Sequence, residues 1–359
     1  MKFLAKKLPI LLTICLLMLI IQQKIYSAST RYGGEFLELG IGARAMALGG
    51  AYVAVADDGS AFYWNPSGAS TILQQELFGM YASLFKSLSN LHHIGYSRPM
   101  YSGTAISFNW LRLTVSDIPW YEVDPEKLKL GYSNRVNDAS TSAETWQELK
   151  NLNIVLTDDP LGYSSFVNDA FFLTLSKMYN FDIDFGWQYF VLPVQIPIGV
   201  NLKMIRQSLF DHNASGLGFD FGAMFKFGLN DLFDDNRLGK FSLGYTVKDV
   251  WNTKITWNTD SRHSDHIKRS WFFGASYFQP IQKIHGQLLF AYSLENKYKK
   301  ATHFGIEYVY YKRLALRFGL DDKQFTAGVG LKVLYFIFDY AFKTHELGGS
   351  HRISVSVRF

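Results

Sequence analysis

The last nine residues, HRISVSVRF, place Ile353, Val355, Val357 and Phe359 on one parity and Arg352, Ser354, Ser356 and Arg358 on the other. Side chains alternate across a β-strand, so such a segment has one apolar and one polar face. The pattern recurs. SGTAISFNW sets Ile106, Phe108 and Trp110 against Ser107 and Asn109. GFDFGAMFKFG sets Phe219, Phe221, Ala223, Phe225 and Phe227 against Asp220, Met224 and Lys226. THFGIEYVY and RLALRFGL repeat it, with His303, Glu307, Arg313 and Arg317 on the polar faces.

Two architectures accept these strands. A soluble sandwich buries the apolar face and wets the polar one. A membrane barrel turns the apolar face to lipid and the polar face to its lumen. The segments are longer than the usual strand of soluble sheets. Aromatics gather at their ends, as in Tyr308-Tyr310-Tyr311, Trp271-Phe272-Phe273 and Phe336-Phe338-Tyr340. Short and long turns alternate. These features predict an all-β, antiparallel transmembrane barrel. Fourteen strands are expected, at 72–85, 91–99, 104–113, 169–178, 195–208, 217–228, 240–250, 270–279, 284–294, 301–310, 313–320, 324–332, 334–342 and 351–359. An even count puts the long segments 114–168 and 251–268 on one side, the outside. Residues 180–193 also alternate and are read as an insertion or the extended base of the fifth strand. Within the long outer loop, Glu144 to Leu152 has helical character.

The N-terminus reads as a signal peptide. Lys2, Lys6 and Lys7 precede an apolar run from Leu8 to Ile21, and small residues follow at Ser27, Ala28 and Ser29. The run is shorter than the roughly 20 residues of a spanning helix. Residues 1–28 are therefore expected to be removed. Cys15, the single cysteine, would leave with them, which excludes disulfides and thiolate chemistry from the remainder. The formal charge of +5 includes Lys2, Lys6, Lys7 and Lys24, so the remainder is close to neutral and carries no nucleic-acid signal.

Residues 29–70 are too rich in Gly and Ala for a lipid-facing strand. Gly40-x-Gly42-x-x-Ala45 matches a dinucleotide fingerprint only on paper, because no βαβ unit surrounds it. Small residues let backbone approach backbone closely, which suits a plug inside a barrel. Asp57 or Asp58 is expected to cap a short helix through Trp64, stopped by Asn65-Pro66.

The stretch GARAMALGGAYVAVADDGSAFYWNPSGAS resembles the N-terminal signature of the PorV/PorQ family of FadL-like outer-membrane barrels. DIPW at Asp117–Trp120, HNASGLGFDFGAMFKF at His212–Phe227 and HELGGSHRISVSVRF at His345–Phe359 extend the likeness. The resemblance implies a fourteen-stranded barrel over 71–359 with residues 29–70 as its plug, the motif being carried by Gly42, Arg44, Gly49, Gly50, Asp57, Asp58, Trp64, Asn65 and Pro66. It implies Phe359 as the signal for the barrel-assembly machinery. It implies a cell outer-membrane location, with outer-membrane lipid around the barrel. Two roles follow from it. A PorV-type barrel acts in type IX-like protein secretion or surface attachment, with secretion-system proteins as partners. A FadL-like barrel passes long-chain fatty acids or other hydrophobic small molecules.

Catalytic and metal chemistry finds no constellation. His92 and His93 are adjacent on a strand and point to opposite faces. His263 and His266 lie in an outer loop without a further ligand. No spacing singles out a triad, and the pairs Asp57-Asp58, Asp234-Asp235 and Asp321-Asp322 read as turns or caps. No enzyme activity, cofactor or metal is expected. Lys203, Arg206, Asp220, Lys226, Arg317, Arg352 and Arg358 are expected to face the lumen, and Arg44 to pair with a luminal carboxylate.

Overall fold

A computed structural model describes residues 33–122, 157, 159–184, 186, 191–297, 300–345 and 348–359. The expected signal peptide, Cys15 and the helical reading of Glu144 to Leu152 lie outside the described residues.

The described strands are β1 (Glu76–Leu84), β2 (Ser89–Pro99), β3 (Thr104–Trp120), β4 (Gly162–Asp184), β5 (Val191–Leu209), β6 (His212–Gly228), β7 (Lys240–Lys248), β8 (Lys254–Trp257) and β9 (Ser264–His266). They continue as β10 (Ser270–Ile281), β11 (Gly286–Asn296), β12 (Lys300–Tyr310), β13 (Leu314–Asp321), β14 (Gln324–Val333), β15 (Phe336–Lys343) and β16 (Ser350–Arg358). Each of fourteen strands pairs antiparallel with two neighbours. β1 joins β16, β7 joins β10, and the ring has no free edge. The β8–β9 hairpin stands outside the ring, clipped to Ala214–Gly216 of β6.

Every expected strand is present, with shifted ends. β3 and β4 run well past 113 and before 169, so the long outer connection is 121–161 rather than 114–168. A register shift between Val115 and Ile118, with Asp117 at φ 58°, marks where β3 leaves the regular ladder. Within 180–193, the described residues 180–184 and 191–193 continue β4 and β5 as paired strands, so the extended base is the alternative that holds, shared by two strands, and not the insertion. The first strand starts at Glu76 rather than residue 72, because Pro66–Thr71 is a 3₁₀ turn.

Parity sorts the wall. Ile94, Phe108, Phe171, Phe304, Phe318 and Ile353 are large, apolar and exposed on the outer face. Their opposite-parity neighbours are buried inside the ring. One trio departs from the girdle reading: Phe272 is buried, between half-buried Trp271 and exposed Phe273.

The lumen is filled by the chain's own N-terminal region. Short helices at Ala43–Ala47 and Ala61–Trp64 and the turn Pro66–Thr71 sit within the ring. The first packs on β13–β16 and the turn on β4–β6. The second helix begins at Ser60, not at Asp57 or Asp58. Asp58 instead accepts from the Ser60 backbone N–H at 2.9 Å and its hydroxyl at 2.6 Å. It ends at Asn65, whose φ of −157° is extended, as a residue before proline favours.

Close approach is written into both partners. Inward Gly199, Gly222, Gly244, Gly305, Gly319 and Gly328 lie where inner-segment atoms touch the wall. A side chain at Gly305 would begin 2.6 Å from the Leu48 carbonyl oxygen. Gly49, at φ 66°, would meet the Leu320 carbonyl at 2.5 Å. The strand backbone at Gly305 and Leu320 cannot give way without losing ladder hydrogen bonds. Gly305→Leu is therefore expected to expel the inner segment or block folding. The check is the folded band on a semi-native gel together with protease cleavage within residues 33–72. Wild-type protection in both would refute the packing.

Candidate functional site

Inside the ring, four charged side chains form one chain of ion pairs. Arg44 forks onto Glu307, Nε to Oε2 and Nη2 to Oε1, both at 2.9 Å. Glu307 also accepts from Arg317 Nε at 2.5 Å, and Arg317 Nη1 reaches Asp339 at 2.6 Å. Glu307 and Arg317 face each other in register on β12 and β13, so strand pairing alone juxtaposes them. Arg44 has further partners on its own segment: Asp57 at 2.5 Å and the Tyr52 hydroxyl at 2.9 Å. Tyr52 in turn donates to Asp58 at 2.8 Å. Charges this deep persist only when paired and hydrogen-bonded.

The remaining motif residues are fasteners. Trp64 Nε1 donates to the Ile41 carbonyl at 2.8 Å. Asn65 accepts from Ser67 and donates to the carbonyls of Val53 at 2.8 Å and Ala223 at 3.2 Å, tying the segment to β6. Pro66 lies against Gly199 and Gly222. Gly42, at φ 86°, precedes the first helix, and Gly50, at φ 78°, leaves room for the Trp64 ring.

Of the residues expected to face the lumen, Lys203 and Asp220 meet at 2.7 Å, with Asp249 2.8 Å from the same ammonium. Arg317 is in the ion chain. Arg352 donates to the Leu39 carbonyl at 2.7 Å and to Ser350 at 2.9 Å. Lys226 and Arg358 line the inner end of the lumen. Arg206 does not belong with them. It is three residues from Lys203, so a period-two strand sends it to the opposite, outer face, beside exposed Met204. The Phe359 backbone exchanges two hydrogen bonds with Gln75, closing the β1–β16 seam at 3.0 and 3.1 Å, and its ring is exposed.

The inner segment separates two chambers. The one at the chain-terminal end of the ring has a volume of about 640 Å³ and is strongly charged, with Arg44, Asp57, Lys226, Glu307, Arg317 and Arg358 among its walls. The one at the opposite end measures about 210 Å³. Met46, Tyr63, Trp64, Phe172 and Phe272 line it together with charged side chains, among them Lys203, Asp220, Lys248, Glu295, Asp321 and Lys343. The Lys248 ammonium stands 3.8 Å from the Tyr63 ring centre, 4.7 Å from Phe272 and 5.7 Å from Trp64. Among the described residues no side chain forms a hydrogen bond or ion pair with it. Cation–π contact and the nearby charges of Glu295 and Asp220 stabilise it.

Lys248, Phe272, Tyr52 and Glu307 escaped the sequence reading as site residues. Only Glu307 left a signal, as an acid on the polar parity of a strand adjoining Arg317. Among the described residues no three His, Cys, Asp or Glu side chains cluster to hold a metal. His93 is buried against Phe62 and Asn109, while His92 is exposed on the outer face.

No family model and no curated protein matches the chain. Among solved structures it is similar to the Pseudomonas putida toluene transporter TodX, with a TM-score of 0.50 and 10% identity over 88% of this chain and 97% of that one. A TodX variant described as a monoaromatic hydrocarbon channel gives 0.48 at 10% identity over 89% and 99%. The Acinetobacter baumannii outer membrane protein Omp33 gives 0.34 at 10% over 80% and 98%. At such identity the TodX likeness is one of fold. The chain is a closed fourteen-stranded β-barrel of the outer membrane.

Glu307→Ala removes the carboxylate shared by two buried guanidiniums, each of which keeps one other acid. The expected loss is about 3 kcal/mol, the low end for a broken buried pair. Urea unfolding in detergent measures it. Paired with Arg44→Ala, the double-mutant cycle is expected to show coupling of about 0.5–3 kcal/mol. Additive effects would mean that the two side chains act independently.

Proposed function

We propose that this barrel is a passive transporter of small hydrophobic molecules, with the inner segment as its plug. One observation carries the reading: a fourteen-stranded ring that shares its fold with a protein named as a toluene transporter holds a chamber of about 210 Å³ where Tyr63, Trp64, Phe172 and Phe272 converge among charged side chains. An apolar cavity of about 150 Å³ is enough to hold benzene. The chamber has the volume for a single ring or the end of an alkyl chain, which would meet the faces of Tyr63, Trp64, Phe172 and Phe272. Charged side chains line both chambers, so transfer requires the plug to shift or the molecule to leave through the wall. The FadL-like fold, shared with a protein named as a toluene transporter, supports this reading.

The PorV/PorQ-like signature supports a second reading, a scaffold or shuttle in type IX-like protein secretion. Its basis is the motif from Gly42 to Pro66 and the long outer connection at 121–161.

Native mass spectrometry of gently solubilised protein separates the two. Transport predicts a lone barrel that binds added toluene or oleate at about one molecule each. It also predicts that Gly50→Trp, which fills the aromatic chamber, reduces that binding at least five-fold. A stoichiometric protein partner and no ligand binding would overturn transport in favour of the scaffold.

A further inference from the structure

The outward face of the barrel is apolar nearly throughout, which makes one row on β3–β5 conspicuous. Arg112, Asp169 and Arg206 lie directly opposite one another in register across the three strands. They share parity with exposed Phe108, Phe171 and Met204, so they face the surroundings of the barrel. The next row toward the chain-terminal end is Trp110, Phe171 and Met204, and the one after it Phe108, Leu173 and Leu202. A charged row, an aromatic row and an apolar row thus follow in sequence.

The depth of the charged row follows from the ladder. Outward Lys177, level with Thr104 and Ile198, lies eight residues away along the strands. At about 3.3 Å per residue and a tilt near 40°, the two levels are roughly 20 Å apart. An outer-membrane apolar band is about 25 Å tall. Lys177 therefore sits at one boundary and the Arg112–Asp169–Arg206 row near the other. The long connection 121–161 shows that this boundary is the extracellular one.

The hydrogen bonding leaves donors over. Asp169 accepts from Arg112 Nε and Nη2 and from Trp110 Nε1, each at 2.8 Å, and its charge also attracts Arg206 without a hydrogen bond. That clasp fixes one edge of the Arg112 guanidinium and leaves Nη1 free. The Arg112 guanidinium also lies 5.0 Å from the Trp110 ring centre. Arg206 makes no hydrogen bond or ion pair among the described residues, and its side chain is exposed. His92, opposite Arg112 on β2, adds no acid. Arg presents a planar fork suited to phosphate.

We infer that this face is a binding site for a lipid whose headgroup carries two phosphates. Arg112 and Arg206, two strands and thus about 9–10 Å apart at the backbone, each take one phosphate. Asp169 and Trp110 position Arg112. The acyl chains lie along Phe171, Met204, Phe108 and Leu202. The occupant is a phosphorylated glycolipid of the outer leaflet, because the row stands at the extracellular boundary and the apolar rows run inward from it.

The full chain in nanodiscs of phosphatidylethanolamine with a few per cent bis-phosphorylated lipid A tests this. After transfer to mild detergent, native mass spectrometry counts retained lipid A. The expected result is about one per barrel, with at least five-fold less in Arg112→Gln/Arg206→Gln and no change in Lys300→Gln, which alters an outward cation on β12. Dephosphorylated lipid A is expected to be lost from the wild-type protein. That arm decides the question even if the double variant misfolds. Equal retention of both lipid A forms, no retention, a folded double variant with wild-type retention, or displacement by millimolar inorganic phosphate would each overturn the site.

Discussion

A bilayer offers no water to an unpaired peptide group, so a sheet that enters it must close on itself. The rest of the structure follows from that requirement. Fourteen strands close without an edge, but a ring this wide cannot be filled by its own side chains, as an eight-stranded one can. The N-terminal segment supplies the missing volume. Because it enters as backbone, it needs inward glycines such as Gly199, Gly244 and Gly305 to lie against. Because it carries Arg44, it needs a buried carboxylate, and β12 provides Glu307.

The strands were legible because alternation is local. A period of two sustained over nine residues, as in HRISVSVRF, leaves few other folds. Their ends were less so. Lipid enforces alternation only across its own thickness, and β3, β4 and β5 continue beyond it under hairpin pairing alone. Arg206 was misassigned although the same rule places it: Lys203 and Arg206 differ by an odd number and cannot share a face. The long-range partners were illegible for a different reason. Nothing local to Arg44 specifies Glu307, 263 residues away, and nothing near Lys248 announces that Tyr63, Trp64 and Phe272 converge on it. The Gly-Ala composition of the inner segment announced close packing, while its reciprocal, the inward glycines of the strands, reads as ordinary punctuation until the two are seen together.

Charge lines both ends of the lumen, and at the extracellular end the rings of Tyr63, Trp64, Phe172 and Phe272 gather among Lys203, Asp220, Lys248 and Glu295. On the outer wall the order is stricter: guanidiniums occur at the boundary, with Trp110 and Phe171 in the row just beneath. There an aromatic layer separates charge from hydrocarbon, which matches the preference of amphipathic rings for interfaces.

The ion chain bears on whether the inner segment can move. Separating two buried charges is costly mainly when one is left alone. Here neither side is. If Arg44 withdraws, it carries Asp57 and the Tyr52 hydroxyl with it, since all three belong to the inner segment. Glu307 stays with Arg317, and Arg317 stays with Asp339, since all three belong to the wall. The forked contact between Arg44 and Glu307 is lost, but no buried charge is orphaned. The backbone contacts at Gly305 and Gly319 resist the same motion differently: they are close-packed and apolar in effect, and they resist by shape. The segment is thus held by shape along β12–β14 with its charge balanced on both sides of the Arg44–Glu307 contact, whereas buried Arg352 would lose the Leu39 carbonyl and keep only Ser350. Electrostatics therefore fixes the register of the inner segment, while packing sets how firmly it is held.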